Sequence, residues 1–184
     1  MNIASYWFGN YIFDFFLYML VAAITIGISV ALDIEALIEE KALDATALLF
    51  VFFGLANIPF TYILSYLFKD SGNAQAAIYF FNFVVAGIVP LIIAIFRLIS
   101  NEDDEVPSGD VVRGLAWFLR FLPGFSFGEG LLNLGNRETL SIIENADKPF
   151  DEIEYDVFHP EIALAPVLYL VGGIFLYFGI LFLI

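Results

Sequence analysis

The sequence has 184 residues, 61% of them hydrophobic and 15% charged, with a formal net charge of -14. A mean hydropathy of +0.88 lies far above that of an ordinary soluble domain, in which about half of the residues are apolar, so most of this chain is built for lipid. The charge excludes nucleic acid as a partner, since phosphate binding needs concentrated Lys and Arg, and the absence of Cys excludes disulfides and thiolate chemistry while leaving the compartment open.

The acids crowd into 33–44, 102–110 and 138–161, and the stretches between them are almost uncharged. Four apolar runs result: Tyr6 to Leu32, Leu43 to Phe68, Ala74 to Ser100, and Ile162 to Ile184. Each reaches the roughly 20 residues that a hydrocarbon core of about 30 Å asks of a helix. The first run lacks a basic leader and a small-residue cleavage site and is too long for a signal peptide, so it reads as a span. No solenoid repeat and no β-barrel alternation is present. The expected fold is therefore all-α, a polytopic membrane helical bundle with four spanning helices and a short re-entrant helical hairpin before the last span.

Along the first span, Asn10, Asp14 and Tyr18 recur at i, i+4 and i+8. The following "DIEALIEEKALD" sets Ile34, Leu37 and Ile38 opposite Asp33, Glu35, Glu39 and Glu40. That pattern fits a short helix lying on the membrane surface, and equally a solvated loop. In the second span Asn57, Thr61 and Ser65 repeat the spacing, and Asn82 follows in the third. Polar side chains within spans face the bundle interior because lipid cannot satisfy them. Asn10, Asp14, Asn57, Thr61, Ser65 and Asn82 are thus candidates for interhelical hydrogen bonds or for a translocation path, with Asp14 singled out by its charge. Pro59 and Pro90 predict kinks in the second and third spans. Those spans are joined by "KDSGN", a tight polar turn with Asp70 or Ser71 as helix cap, which requires an antiparallel hairpin.

After the acidic loop "NEDDEVPSGD", the segment "VVRGLAWFLRF" puts Arg113, Trp117 and Arg120 at i, i+4 and i+7, a face suited to the headgroup level, and marks them as candidate interfacial anchors. The stretch "RFLPGFSFGEGLLNL" is then punctuated by Pro123, Gly124, Gly128, Glu129 and Gly130. Its two helical pieces, at about 1.5 Å per residue, are only about 15 to 20 Å long, too short to cross. Over about 111–135 they predict a hairpin that dips in and returns on the same side, its break buried in protein or facing water. Glu129 carries a charge at that depth and needs a partner, for which Arg97 and Arg120 are placed. His159, the only His, stands in an acidic loop without a second His or any Cys and reads as solvated rather than metal-binding.

Three stretches together carry a resemblance. "YWFGNYIFDFFLYML" (6–20), "LANIPFTYILSYLFKDSGNAQ" (55–75) and "FLPGFSFGEGLLNL" (121–134) resemble, in order and spacing, the second transmembrane domain of subfamily A of the ATP-binding-cassette transporters, from its third helix to its sixth. The resemblance implies a lipid exporter in whose glycine-rich segment two short helices re-enter from the extracytoplasmic side. It implies that two upstream spans, a large extracellular domain and a cytoplasmic helix lie outside this sequence. Membrane lipids, the other transmembrane half and nucleotide-binding domains would be the partners, in the plasma membrane or an endomembrane. No G-x-x-x-x-G-K-[ST] loop occurs here, so ATP and Mg would be bound elsewhere, with no cofactor, metal or catalytic motif in this chain and its standing as an enzyme left open. In the resembling family the position of Glu129 is often Arg, a reversal of charge. The family orientation places the Lys69 turn in the cytoplasm, whereas the positive-inside rule, counting Lys41, Arg97, Arg113, Arg120, Arg137 and Lys148, favours the reverse. The function expected is a transmembrane segment forming part of a substrate path; a membrane scaffold that transports nothing is the alternative.

Overall fold

A computed structural model describes residues 3–100, 109–137 and 157–183. These are helical, with no strand among the described residues. Helix α1 covers Ile3–Ala31, α2 the single turn Glu35–Ile38, and α3 Glu40–Ser65. Helix α4, Ser71–Phe83, continues through a π-helical turn at Val84–Ile88 into α5, Val89–Ser100. Two short helices follow, α6 at Gly109–Leu119 and α7 at Pro123–Gly135. A second π turn, Pro160–Leu164, leads into α8, Ala165–Leu183. Among the described residues four stretches are long and apolar enough to cross a membrane: Trp7–Ala31, Lys41–Ser65, Ser71–Phe96 and Ile162–Leu183. The acidic segments 101–108 and 138–156 lie outside the described residues.

The acidic stretch after α1 contains a helix of one turn, Glu35–Ile38, with no residue buried. Asp33 takes a left-handed φ of 53°, and the Ile34 N–H donates to the Ser29 carbonyl while the Asp33 N–H donates to that of Val30. This is the six-to-one and five-to-two bonding of a Schellman cap, with Asp tolerated where Gly is usual. The cap turns the chain into α2. Extended backbone at Glu39 then separates α2 from α3, and the Thr46 hydroxyl holds the turn by donating to the Leu37 carbonyl at 3.1 Å.

The core lies among α3, α7 and α8. Ala45, Leu49 and Ala56 of α3 meet Val167, Leu170 and Tyr177 of α8 and Leu134 of α7, all buried. Small residues let these helices approach closely where no hydrophobic force draws them together. A second cluster joins Val85 and Ile93 to Val112, Ala116 and Phe125. Helix α1 packs on α3 and α2 and leaves Phe13, Val21 and Ile24 more than 60% exposed, a surface suited to an apolar neighbour such as lipid.

The prolines also free backbone acceptors. In an α-helix the residue at position i donates to the carbonyl at i−4, and proline has no N–H to give. Pro59 therefore releases the Leu55 carbonyl, and the Tyr11 hydroxyl of α1 donates to it at 3.2 Å. Pro166 releases the Ile162 carbonyl, and Asn133 Nδ2 of α7 donates to it at 3.4 Å. Pro90 releases the Ala86 carbonyl inside the first π turn. Gly128 of α7 presses against that oxygen so closely that a Cβ there would lie 1.8 Å from it, leaving a Cα–H as the group that faces it. Each freed acceptor has become a docking point for a different helix.

Two expectations follow. Gly128→Ala should lower the unfolding midpoint in detergent by an amount equivalent to at least about 2 kcal/mol, because the obstacle is backbone. Gly27→Ala, with nothing within 4 Å of its Cβ position, should stay within about 0.5 kcal/mol. Tyr11→Phe should cost about 0.6 to 1.7 kcal/mol, and much less in a Pro59→Ala background, where the residue-59 N–H is restored. Equal costs in the two backgrounds would show that the hydroxyl does not serve the freed carbonyl.

Candidate functional site

Leu119 ends α6, and Arg120–Leu122 close a tight turn in which the Phe121 and Leu122 N–H groups donate to the carbonyls of Phe118 and Leu119. Leu122 is extended, and Pro123 starts α7 where a missing N–H costs nothing. The Leu122 carbonyl accepts from the Ser126 N–H, and the other two carbonyls of the turn are met by side chains. Ser126 Oγ donates to the Arg120 carbonyl at 2.7 Å, and the Tyr177 hydroxyl of α8 donates to that of Phe121.

At the centre stands a bidentate ion pair. Arg120 Nε lies 2.6 Å from Glu129 Oε2, and Nη2 lies 3.0 Å from Oε1; each side chain is only 3% exposed. The planar guanidinium matches the carboxylate with two parallel bonds, and it also lies 5.8 Å from the Trp117 ring centre. Arg120, one of the two cations placed to partner Glu129, pairs with it. Arg113 and Trp117 do lie on the exposed side of α6, but Arg120 leaves that face, because the helix has ended and the turn swings its side chain inward.

Helix α7 runs antiparallel to α3. Phe127 stacks on Phe53 at 4.4 Å and meets Phe50 edge-on at 4.9 Å. Gly130 abuts Leu49, whose Cδ2 would lie 2.7 Å from an added Cβ. Beyond the end of α7, Arg137 donates to the Ala36 carbonyl at 2.9 Å and pairs with Glu39. The glycines flanking Glu129 are thus the points where α7 touches the π turn on one side and α3 on the other. Pro123, Gly124 and Gly130 are buried, and Gly128 is half-buried.

The polar residues of the spans divide into two groups. In the α1–α3 seam, Tyr62 donates its hydroxyl to Asp14, and Tyr18 donates to the Phe50 carbonyl at 3.0 Å with its ring laid over Gly54, where a Cβ would meet it at 2.4 Å. Asn10 takes no part in these bonds. Tyr11, Tyr62 and Tyr177 were not among the expected site residues; for Tyr11 the available signal was the Leu55 carbonyl freed by Pro59, which demands a donor. Asn57 of α3 and Asn82 of α4 each bury an Oδ1 that has no hydrogen-bond partner among the described residues. The Asn82 oxygen lies 3.5 Å from where a Gly124 Cβ would stand, at the start of α7. Thr61 and Ser65 continue the α3 stripe toward the membrane end of the helix. Among the described residues no three acids or His gather as a metal site.

Residues 1–183 match the family described as ABC-2 family transporter protein. The chain is 28% identical over 154 residues to ATP-binding cassette sub-family A member 13 from Homo sapiens, covering 84% of this chain and 3% of that protein. It is 29% identical over 143 residues to the glucosylceramide transporter ABCA12 from Homo sapiens, covering 76% and 5%. With the retinal-specific phospholipid-transporting ATPase ABCA4 from Bos taurus it shares 26% over 152 residues, covering 79% and 6%. The chain therefore spans only a small part of the length of these relatives.

Glu129→Ala should lower folded yield and cost about 3 to 5 kcal/mol, since it strands the buried guanidinium. The exchange of both charges, Arg120→Glu with Glu129→Arg, should recover more than half of the folded yield, read by size-exclusion chromatography of a fluorescent fusion. No recovery would mean that the pair's surroundings, rather than its mutual charge, set the arrangement.

Proposed function

Because the chain belongs to the ABC-2 transporter family, an integral membrane assignment that its four long apolar helices share, we propose that it forms part of the path by which an ATP-driven transporter moves lipid. Two relatives named for glucosylceramide and phospholipid transport support lipid as the cargo. Nucleotide binding would belong to a separate domain, since no phosphate-binding loop occurs in this sequence, and the other transmembrane half would complete the path.

The observation that carries this reading is the pair of unpartnered amide oxygens on Asn57 and Asn82. In hydrocarbon a buried amide without a hydrogen bond costs at least about 1 to 3 kcal/mol. A hydroxyl, amide or amine donor on a passing headgroup, or water accompanying it, would relieve that cost at the level of the α7 N-terminus. Helices α6 and α7 would form a hairpin re-entering from one side, as helices of 11 and 13 residues, about 16 and 20 Å long, cannot span about 30 Å. Arg113 and Trp117 would anchor it at the headgroup level. The α1–α3 seam, Asp14 included, is spent on holding helices together and is left to structure in this reading.

In the full-length protein in proteoliposomes, Asn57→Leu and Asn82→Leu should each reduce lipid export by about tenfold, the worth of one hydrogen bond lost in the path, with folded yield retained. Phe175→Leu, at a position 75% exposed, should leave export unchanged. Export by both Asn variants equal to that of the unaltered protein would remove them from the path.

A further inference from the structure

Pro90 and Pro166 stand at the same place relative to a π turn. Val84–Ile88 ends two residues before the first, and Pro160–Leu164 ends two residues before the second. The carbonyl four residues back from each proline, Ala86 in one case and Ile162 in the other, therefore belongs to the middle residue of its turn. This shared register has a physical cause. A proline ring inside an α-helix collides with the carbonyl at i−4 besides leaving it without a donor, and a π turn, being wider, makes room for the ring. Both wide turns present that middle carbonyl to α7. Gly128 lies so close to the Ala86 oxygen that a Cβ would stand 1.8 Å from it, and Asn133 Nδ2 donates to the Ile162 oxygen at 3.4 Å. Gly128 and Asn133 are five residues apart on one unbroken helix, about 7.5 Å along its axis, so a displacement at one is carried to the other.

Neither turn is locked by its own backbone bonds. The Val84 N–H is shared between the carbonyls of Phe80 and Phe81, and the His159 carbonyl is shared between the N–H groups of Ile162 at 2.9 Å and Leu164 at 3.3 Å. Each shared group is divided between two helical registers and commits to neither. At Gly87, on the open side of the first turn, nothing lies within 4 Å of the Cβ position, so no neighbour obstructs a change of width there. We propose that α7 couples the two π turns, so that closing one into α geometry loosens the other. When the first turn closes, the Ala86 oxygen withdraws, α7 settles into the space it leaves, and the Asn133 bond, already long, is the first to yield. The first turn lies in the third span and the second opens the last, so the coupling makes these two spans respond together. It depends on the fold alone, goes beyond the transport reading and stands or falls without it.

Pro90→Ala removes the ring and restores the N–H, and so closes the first turn. The test follows amide hydrogen exchange by mass spectrometry in the full-length protein in nanodiscs, in peptides covering 84–90 and 159–166. In Pro90→Ala, exchange at 84–90 should slow, and exchange at 159–166 should quicken by about threefold, the worth of one hydrogen bond between helices in a membrane. Coupling is reciprocal, so Pro166→Ala should slow exchange at 159–166 and quicken it at 84–90 by the same factor. Asn133→Leu cuts the link between α7 and the second turn. In that background Pro90→Ala should still slow exchange at 84–90 and should leave 159–166 unmoved. Slowing at 84–90 with no response at 159–166, a remote response that survives Asn133→Leu, or unequal responses to the two proline variants would each overturn the coupling. Pro90→Ala without local slowing would show that the proline does not hold the turn open, and would overturn it as well. Each proline variant reads the coupling from its own side, so a loss of folded yield in one leaves the other to decide.

Discussion

A carbonyl oxygen in hydrocarbon must find a donor, because no water is there to supply one. Proline breaks that rule locally by withholding an N–H, and this bundle places the resulting free oxygens where other helices can reach them. Leu55 receives α1, Ile162 receives α7, and Ala86 receives the backbone of Gly128. The helices are thereby joined at defined points rather than along indifferent apolar faces. This matters because lipid tails compete on equal terms with Leu and Phe for any greasy surface. Specific pairing needs either close backbone approach or polar contact, and the freed carbonyls offer both.

The ion pair of Arg120 and Glu129 belongs to the same economy. A buried pair of this kind adds little net stability, since desolvation consumes most of the attraction. Its effect is on uniqueness: with both charges committed, the turn after α6 has one arrangement in which neither is stranded. The flanking glycines make that arrangement compatible with tight packing, for any side chain at 128 or 130 would occupy space already filled by the Ala86 carbonyl or by Leu49. Charge and absence of bulk act together, so the sequence "GEG" is one device rather than three residues.

The spans were legible because length and hydropathy are properties of contiguous sequence. The brevity of α6 and α7 was legible from Pro123 and the glycines for the same reason. What could not be read was direction. Arg120 fits the face of Arg113 and Trp117 only while the helix continues, and the helix stops at Leu119. Glycines 128 and 130 announce a close approach without naming the approaching group. The tyrosines hid behind their aromatic rings, and only the pairing of Pro59 with a carbonyl four residues earlier hinted that a hydroxyl was needed. At Pro59 and Pro90 a sequence shows the N–H that is missing and not the group that meets the freed carbonyl. The segment 33–44 had two readings; the short helix is there as a single turn, and the left-handed cap before it and the break after it were not foreseen.

The π turn at Val84–Ile88 has a consequence for helical phase. Such a turn holds one residue more than an α turn, and one residue is about 100° of rotation. Everything on α4 is therefore rotated by roughly that angle, relative to α5, from where an unbroken helix would put it. Asn82 stands on one side of this offset and Ile93 on the other. Shortening 84–88 by one residue would turn the amide away from Gly124 while every side chain kept its identity, so the inward aim of Asn82 is held by chain length at a place where composition says nothing.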